Sequence, residues 1–146
     1  MNFKTESMKS NILYLCVLCL VLAFNSCKKE AGKGGTSGIR GKVYSKYYNK
    51  NFSVLADSGY APDTDVYIIY GDGFSFGDRQ KTSYNGSYEF KYLEKGNYKI
   101  YAYSEDSTGA YSNHVNQYAP DIAIIKEVSI TKNRQKVEVE DIHIVQ

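Results

Sequence analysis

The stretch TSYNGSYEFKYLEKGNYKIYAY, residues 82–103, is the part of the chain that decides its fold. Asn85-Gly86 marks a tight turn, because both residue types adopt positive φ at low cost. Residues 94–97, Glu-Lys-Gly-Asn, form a second turn signal. Apolar and polar residues alternate after each turn, which is the period of a half-buried β-strand. The stretch therefore predicts two strands joined by a turn.

The alternation also predicts which side chains of these two strands face the core. The residues expected on the core face are Tyr88, Phe90, Leu93, Tyr98, Ile100 and Ala102. Tyr101 and Tyr103 fall in the other register of the second strand, so we expect them on the opposite face of the sheet.

The chain on either side of this stretch, over residues 39–146, is strand-like almost throughout and shows no helical period. The candidate strands are residues 39–44, 65–70, 77–83, 87–93, 97–104, 124–130 and 137–144. Seven short strands separated by turn signals predict a single all-β sandwich domain. In the segment 45–63 we expect an extra strand or a short helix around 52–56. In the last strand the apolar register changes near Glu140-Asp141, which predicts a β-bulge.

The spacing Thr-x-x-x-Gly-x-Tyr-x-Phe-x-x-Leu-x-x-Gly-x-Tyr-x-Ile runs from Thr82 to Ile100. It resembles the carboxypeptidase regulatory-like and collagen-adhesin B-type repeat families, which share a prealbumin-like β-sandwich. The resemblance implies that fold but no particular function, because one fold hosts many roles. The adhesin repeats often carry a lysine isopeptide bond, and Lys42 stands at the lysine position. The last strand offers Asp141 but no asparagine, and residues 98–103 hold no glutamate, so no such bond is expected.

The first 26 residues have the features of a cleaved secretory signal. Lys4 and Lys9 precede an apolar run over residues 12–24, and the small residue Ser26 ends the segment. The run is shorter than the roughly 20 apolar residues that a spanning helix needs. Either Met1 or Met8 can be the start of this signal.

Cys27 follows the signal directly, and the segment Ala-Phe-Asn-Ser-Cys at residues 23–27 resembles a relaxed bacterial lipobox. Phe24 stands where leucine is usual in that pattern. The resemblance implies lipidation of Cys27 after cleavage before it, and thus anchoring to a membrane of the bacterial cell envelope. We expect the outer membrane, with the domain facing the periplasm or the cell surface. The alternative is an ordinary secretory signal followed by an incidental cysteine. Cys16 and Cys19 would be removed with the signal, so the mature chain could form no internal disulfide.

The segment from Cys27 to Gly38 is rich in glycine and holds no large apolar residue, which predicts a flexible tether. Loss of the first 26 residues would leave 16 basic and 15 acidic residues. Because nucleic-acid binding usually needs a strongly basic face, this balance argues against a nucleic-acid partner.

Three patterns that could carry chemistry have simpler interpretations. Residues 73–77 read Gly-Phe-Ser-Phe-Gly, but a serine nucleophile in this motif needs a strand–turn–helix in a large parallel sheet. Aspartates recur between strands without the spacing of a calcium loop. His114 and His143 have no cysteine partners for zinc, and His143 is expected to face solvent. We therefore expect no catalytic residue, no metal site and no cofactor.

The tyrosines are the remaining functional signal, since the chain has 15 tyrosines and no tryptophan. Tyr101, Tyr103, Tyr111 and Tyr118 are the candidate ligand-binding residues. The favoured interpretation is a non-catalytic module for interaction with a protein or with the cell envelope. The alternative is a carbohydrate-binding module that uses exposed tyrosines, because tyrosine combines apolar area with a hydrogen-bonding tip. A structural interpretation stays open beside both, in which this face packs under the segment 105–121.

Overall fold

In a computed structural model, which describes residues 30–108 and 121–146, the chain is a two-sheet β-sandwich. The strands of the described residues are β1 (Lys33–Tyr48), β2 (Leu55–Tyr60), β3 (Asp65–Tyr70), β4 (Asp78–Lys81), β5 (Ser87–Leu93), β6 (Gly96–Glu105), β7 (Asp121–Ile130), β8 (Lys136–Glu138) and β9 (Ile142–Val145). Nowhere in 30–108 or 121–146 is there a helix long and apolar enough to cross a membrane.

The first sheet has five strands and is built around β1. Residues 38–40 of β1 pair with β5 on one side and with β8 on the other. Residues 44–46 pair in the same way with β2 and β9. The long central strand β1 therefore holds together four shorter strands that come from distant parts of the sequence.

The second sheet has four antiparallel strands in the order β4-β3-β6-β7. Its register places Tyr67 of β3 opposite Tyr101 of β6, and Tyr101 opposite Ile125 of β7. This row of cross-strand neighbours lies on the outer face of the sandwich, because Ile68, Ile100 and their inward neighbours are fully buried.

The core lies between the two sheets and has the composition that the alternating pattern predicts. Its largest fully buried side chains include Ile39, Val43, Val66, Ile68, Phe90, Leu93, Tyr98, Ile100, Ile142 and Ile144. Burial of a Leu, Ile or Phe side chain contributes about 1.5–3 kcal/mol. The Tyr98 hydroxyl reaches the edge of this core, where it donates to the Glu94 carbonyl at 2.6 Å.

Thr82 and Gly86, two residues of the spacing that runs from Thr82 to Ile100, have structural roles. The buried Thr82 hydroxyl donates to the Ala61 carbonyl at 2.6 Å and accepts from the Thr64 amide at 2.9 Å. Gly86 has φ of +75°, and a Cβ there would lie 2.7 Å from the Val43 carbonyl oxygen. These contacts explain why threonine and glycine occur at these positions.

The all-β sandwich predicted from the sequence is confirmed, with differences in how the strands are divided. An additional strand, β2, forms close to the segment 52–56 where an extra element was expected. The last strand is divided into β8 and β9. Between these strands, residues 138–142 advance one position more than residues 40–43 of β1, as in a β-bulge.

The boundary of the tether also differs from the sequence-based expectation. β1 begins at Lys33, so residues 33–38 belong to the sheet rather than to a flexible segment. Gly35 lies against the backbone of Leu93 so closely that no Cβ fits between them. The glycines that suggested flexibility thus permit a close approach of two strands.

Strand directions define two ends of the sandwich. The basal end holds residues 30–36, the β3–β4 loop, the β5–β6 turn and the β7–β8 turn. The distal end holds the β1–β2 loop, the end of β6 and the start of β7. The tyrosine row lies between them on the outer face of the four-stranded sheet.

Candidate functional site: the outer face of the four-stranded sheet

Four aromatic rings meet on the outer face of the four-stranded sheet. We call Tyr67, Phe76, Tyr101 and Tyr103 the aromatic cluster. Tyr67 and Tyr101 stack with 5.0 Å between ring centroids and an interplanar angle of 14°. Tyr103 stands edge-on to both rings, at 5.6 Å from Tyr67 and 5.5 Å from Tyr101. Phe76 contacts Tyr67 edge-on, with 5.2 Å between ring centroids. Offset stacks and edge-to-face contacts are the arrangements that aromatic rings prefer.

The members of the aromatic cluster differ in exposure, and this divides their roles. Tyr101 is 8% exposed, whereas Tyr103 is 45% and Phe76 is 54% exposed. Ile125, opposite Tyr101 on β7, is also half exposed. Tyr101 therefore packs beneath the surface, whereas Tyr103 and Phe76 are the rings that a ligand can reach.

The electrostatics of the cluster agree with this division. Burial raises the pKa of Tyr101 to about 12, and the neighbouring Tyr103 hydroxyl contributes in the same direction. With this pKa the Tyr101 hydroxyl is neutral at physiological pH, as an unperturbed tyrosine hydroxyl also is. The cluster is thus an uncharged apolar surface with hydroxyl tips.

A polar groove continues the same face toward the basal end. It has a volume of about 340 Å³ and is lined by Gly71, Asp72, Asn97, Tyr98, Lys99, Glu127, Val128 and Ser129. Lys99 lies two residues before Tyr101 on β6, so both side chains occupy the same face. Asn97 is six positions before Tyr103 on β6, a distance of about 20 Å along an extended strand. Rings and hydrogen-bonding groups therefore share one elongated surface.

The sequence-predicted binding residues are only partly brought together by the structure. Tyr101 and Tyr103 are adjacent on the outer face, as the alternation indicated. Tyr111, Tyr118 and the lipidation residue Cys27 lie outside the described residues. Alternation along single strands gave no indication that Tyr67 and Phe76 join this surface. The outward register of Tyr67 was visible in β3, but its neighbour across the sheet depends on strand pairing.

A smaller aromatic group lies on the outer face of the five-stranded sheet. Tyr44 contacts Tyr60 edge-on at 5.5 Å between ring centroids and lies 5.6 Å from the His143 ring. The Lys42 ammonium sits 4.3 Å above the Tyr60 ring, and the Tyr60 hydroxyl donates to Asp141 at 3.2 Å. This hydrogen bond raises the pKa of Tyr60. These side chains pack against and hydrogen-bond to one another, so their interactions need no ligand.

Ser75 of the motif at residues 73–77 and His143 lie in different elements of the sandwich. Ser75 is exposed in the loop between β3 and β4, whereas His143 is exposed on β9. Within 30–108 and 121–146, no group of three or more His, Cys, Asp or Glu side chains could hold a metal ion.

Comparison with solved structures finds similar chains. No protein-family model matches the chain, and no curated protein matches it. A solved crystal structure from Pseudomonas aeruginosa, of a "putative carbohydrate binding protein", is similar to this chain with a TM-score of 0.47 and 14% sequence identity. The similarity covers 80% of this chain and 92% of that one.

Proposed function

We propose that this chain is an exported bacterial lipoprotein whose β-sandwich is a non-catalytic binding module of the cell envelope. The observation that carries the proposal is the aromatic cluster, where Tyr103 and Phe76 are half exposed on the outer face of a sheet. Exposed aromatic groups of this kind commonly mark interaction sites. The spacing from Thr82 to Ile100 supports a relation to the carboxypeptidase regulatory-like and prealbumin-like families.

The anchoring part of the proposal rests on the sequence before the domain. A signal-like segment ends at Ser26, and Cys27 follows it in a lipobox-like context. Several acyl chains on one cysteine would give stable anchoring, at about 0.8 kcal/mol per buried CH₂. We expect the anchored chain in the outer membrane, facing either the periplasm or the cell surface.

A Cys27→Ser variant tests the anchor. We expect the variant to leave the membrane fraction and to lack the acyl mass that the native chain carries. Retention of the variant in the membrane fraction at the native level would contradict lipid anchoring through Cys27.

The favoured partner is an envelope protein, and the test uses isolated cell envelopes of the producing bacterium. We expect the full chain carrying Cys27→Ser to sediment with envelopes, and prior protease treatment of the envelopes to abolish this binding. The Phe76→Ala, Tyr103→Ala double variant is expected to lose most of the binding, because it removes both reachable rings. Binding that is unchanged by this double substitution would contradict the assignment of the surface.

Carbohydrate is the second candidate ligand, and the polar groove beside the aromatic cluster favours it. Sugars present apolar ring faces and many hydroxyls, which suit tyrosine rings next to Asn97, Lys99 and Glu127. If the ligand is a carbohydrate, periodate oxidation of the envelopes would abolish sedimentation of the chain with them, and protease treatment would not. Glycan-array binding by the native chain, lost with Tyr103→Ala, would then identify the sugar class, and an array without signal would remove this candidate.

A further inference from the structure

The first described residues tie the start of the chain to the basal end of the sandwich. The Gly32 amide donates to the Tyr98 hydroxyl at 3.1 Å, and the Glu94 amide donates to the Gly32 carbonyl at 2.9 Å. Ala31 packs against the hydrophobic core. Ala31 and Gly32 therefore belong to the folded domain.

This early start shortens the tether that follows Cys27. Four residues from Cys27 to Ala31 span at most about 14 Å when fully extended. A lipid on Cys27 would consequently hold the basal end close to the membrane surface. The distal end, at the opposite ends of the same strands, would point away from it.

Two aromatic side chains protrude at or next to the basal end. Phe74, in the β3–β4 loop, is fully exposed, and Tyr92, near the end of β5, is 72% exposed. Tyr92 has φ of +60° and is an extra residue opposite the Ser37–Gly38 step of β1, which makes it a bulge. Bulges redirect side chains, and aromatic residues are enriched where proteins meet the headgroup region of a membrane.

Charge is distributed unevenly between the two ends. The exposed basal cations with no ion pair among the described residues are Lys95, Lys132, Arg134 and Lys136. Glu30, Asp72 and Glu94 reduce this charge to a small positive excess. The distal end instead carries Asp57, Glu105, Asp106 and Asp121, against Lys46 and Lys50.

We propose that the basal end is a membrane-docking surface, which inserts Phe74 and Tyr92 among the headgroups of an anionic bilayer while Lys95, Lys132, Arg134 and Lys136 contact lipid phosphates. The proposal rests on the anchor at Cys27 that forms part of the proposed function. Basic residues near an anionic surface each add to membrane attraction, and a lipid chain combined with a basic patch anchors more firmly than the chain alone. Docking in this orientation holds the aromatic cluster on the side of the domain, free to bind.

The absence of tryptophan from the chain allows a direct test with single-tryptophan reporters. Phe74→Trp places the reporter at the basal end, and Val54→Trp places a matched, exposed reporter in the distal β1–β2 loop. Each lipidated full chain is incorporated into vesicles of phosphatidylethanolamine and phosphatidylglycerol. We expect a blue shift and strong quenching by brominated phospholipid for Phe74→Trp, and neither effect for Val54→Trp. Equal quenching of both reporters, or none at Phe74→Trp in vesicle-bound protein, overturns the proposal.

Charge reversal provides a second measurement with a matched control. The full chain carrying Cys27→Ser, which has no lipid, is titrated with the same anionic vesicles at low salt. The double variant Lys95→Glu, Lys132→Glu should bind the vesicles about fivefold more weakly for each cation removed. Repulsion between the two new carboxylates and the anionic lipid should add to this loss. Lys46→Glu with Lys50→Glu makes the same charge change at the distal end and should have little effect. Equal weakening by both pairs would show attraction by overall charge and contradict a basal surface.

The two measurements separate this inference from the anchor. Acyl mass on Cys27 with an unquenched Phe74→Trp reporter means that the anchor is right and the docking surface is wrong. A chain without acyl mass means that the anchor is wrong. The vesicle titration then decides the docking surface by itself, because it uses protein without lipid.

Discussion

Tyr67 of β3 and Tyr101 of β6 are direct cross-strand partners whose rings stack at 5.0 Å between centroids. This contact uses one ring face of each residue for packing within the sheet. Tyr101, 8% exposed, is covered by its neighbours and has little surface left for a ligand. Tyr101 and Tyr103 therefore have different roles. Tyr101 packs within the sheet, and Tyr103 presents its ring to a ligand.

Truncation of these two tyrosines should separate stability from binding. Tyr101→Ala is expected to lower the free energy of unfolding by about 2–4 kcal/mol, because it removes a buried ring and its stacking contact with Tyr67. Tyr103→Ala removes a half-exposed ring, and we expect a loss of about 1 kcal/mol or less. Urea unfolding of the two variants measures the difference. Equal losses would show that the two rings are equally important for packing.

The free energy of unfolding should depend on the Thr82 hydroxyl much more than on the Thr82 methyl group. Thr82→Val leaves the Ala61 carbonyl and the Thr64 amide without their partner. We expect it to cost about 1–3 kcal/mol in the free energy of unfolding. Thr82→Ser keeps both hydrogen bonds and should recover most of that loss. A valine variant as stable as the wild type would contradict a structural role for the hydroxyl.

Tyr88 is 4% exposed, and its hydroxyl has no hydrogen-bond partner among the described residues. Burial raises the pKa of Tyr88, with the charge of Asp141 acting in the same direction. Tyr88→Phe removes an unsatisfied polar group while the ring stays in the core. We expect stability equal to the wild type or higher by up to about 1 kcal/mol. A fall of more than about 1 kcal/mol in the free energy of unfolding, measured with urea, would mean that the hydroxyl has a hydrogen-bond partner.

Alkaline pH should destabilise the domain through Tyr101. Its pKa is raised to about 12 in the folded chain, whereas an unfolded tyrosine titrates near about 10. The folded state therefore holds the proton more tightly, so this contribution is complete below about pH 10 and is lost as the pH rises toward 12. Tyr101→Phe should reduce the fall in unfolding free energy between about pH 10 and pH 12. Tyr84→Phe, at an exposed ring, is the control, and equal pH slopes for all three proteins would contradict the assignment.

The residues of the 82–103 stretch show what the sequence alone could predict. Tyr98 and Ile100 face the core and Tyr101 and Tyr103 face outward because strand alternation is a local property. The all-β sandwich followed from repeating that pattern along the chain. The phase change near Glu140-Asp141 likewise indicated the interruption between β8 and β9.

Other features depend on contacts between distant segments and could not be predicted in the same way. Tyr67 and Phe76 join Tyr101 only because β3 pairs with β6 and the following loop folds back over the sheet. Lys33, Ser37 and Gly38 pair with β5, although the composition of residues 33–38 is typical of a linker. Composition measures local preference, whereas pairing depends on whether a partner strand is available.

The central claim is that the exposed rings of the aromatic cluster bind a partner in the cell envelope. The most direct measurement is the affinity of the full chain carrying Cys27→Ser for isolated envelopes, compared between Tyr103→Ala and Tyr84→Ala. Both substitutions remove an exposed tyrosine, but Tyr84 lies outside the cluster at 89% exposure. We predict a loss of about tenfold or more for Tyr103→Ala, as for a central aromatic contact, and no change for Tyr84→Ala. Equal affinities for the two variants would contradict the claim.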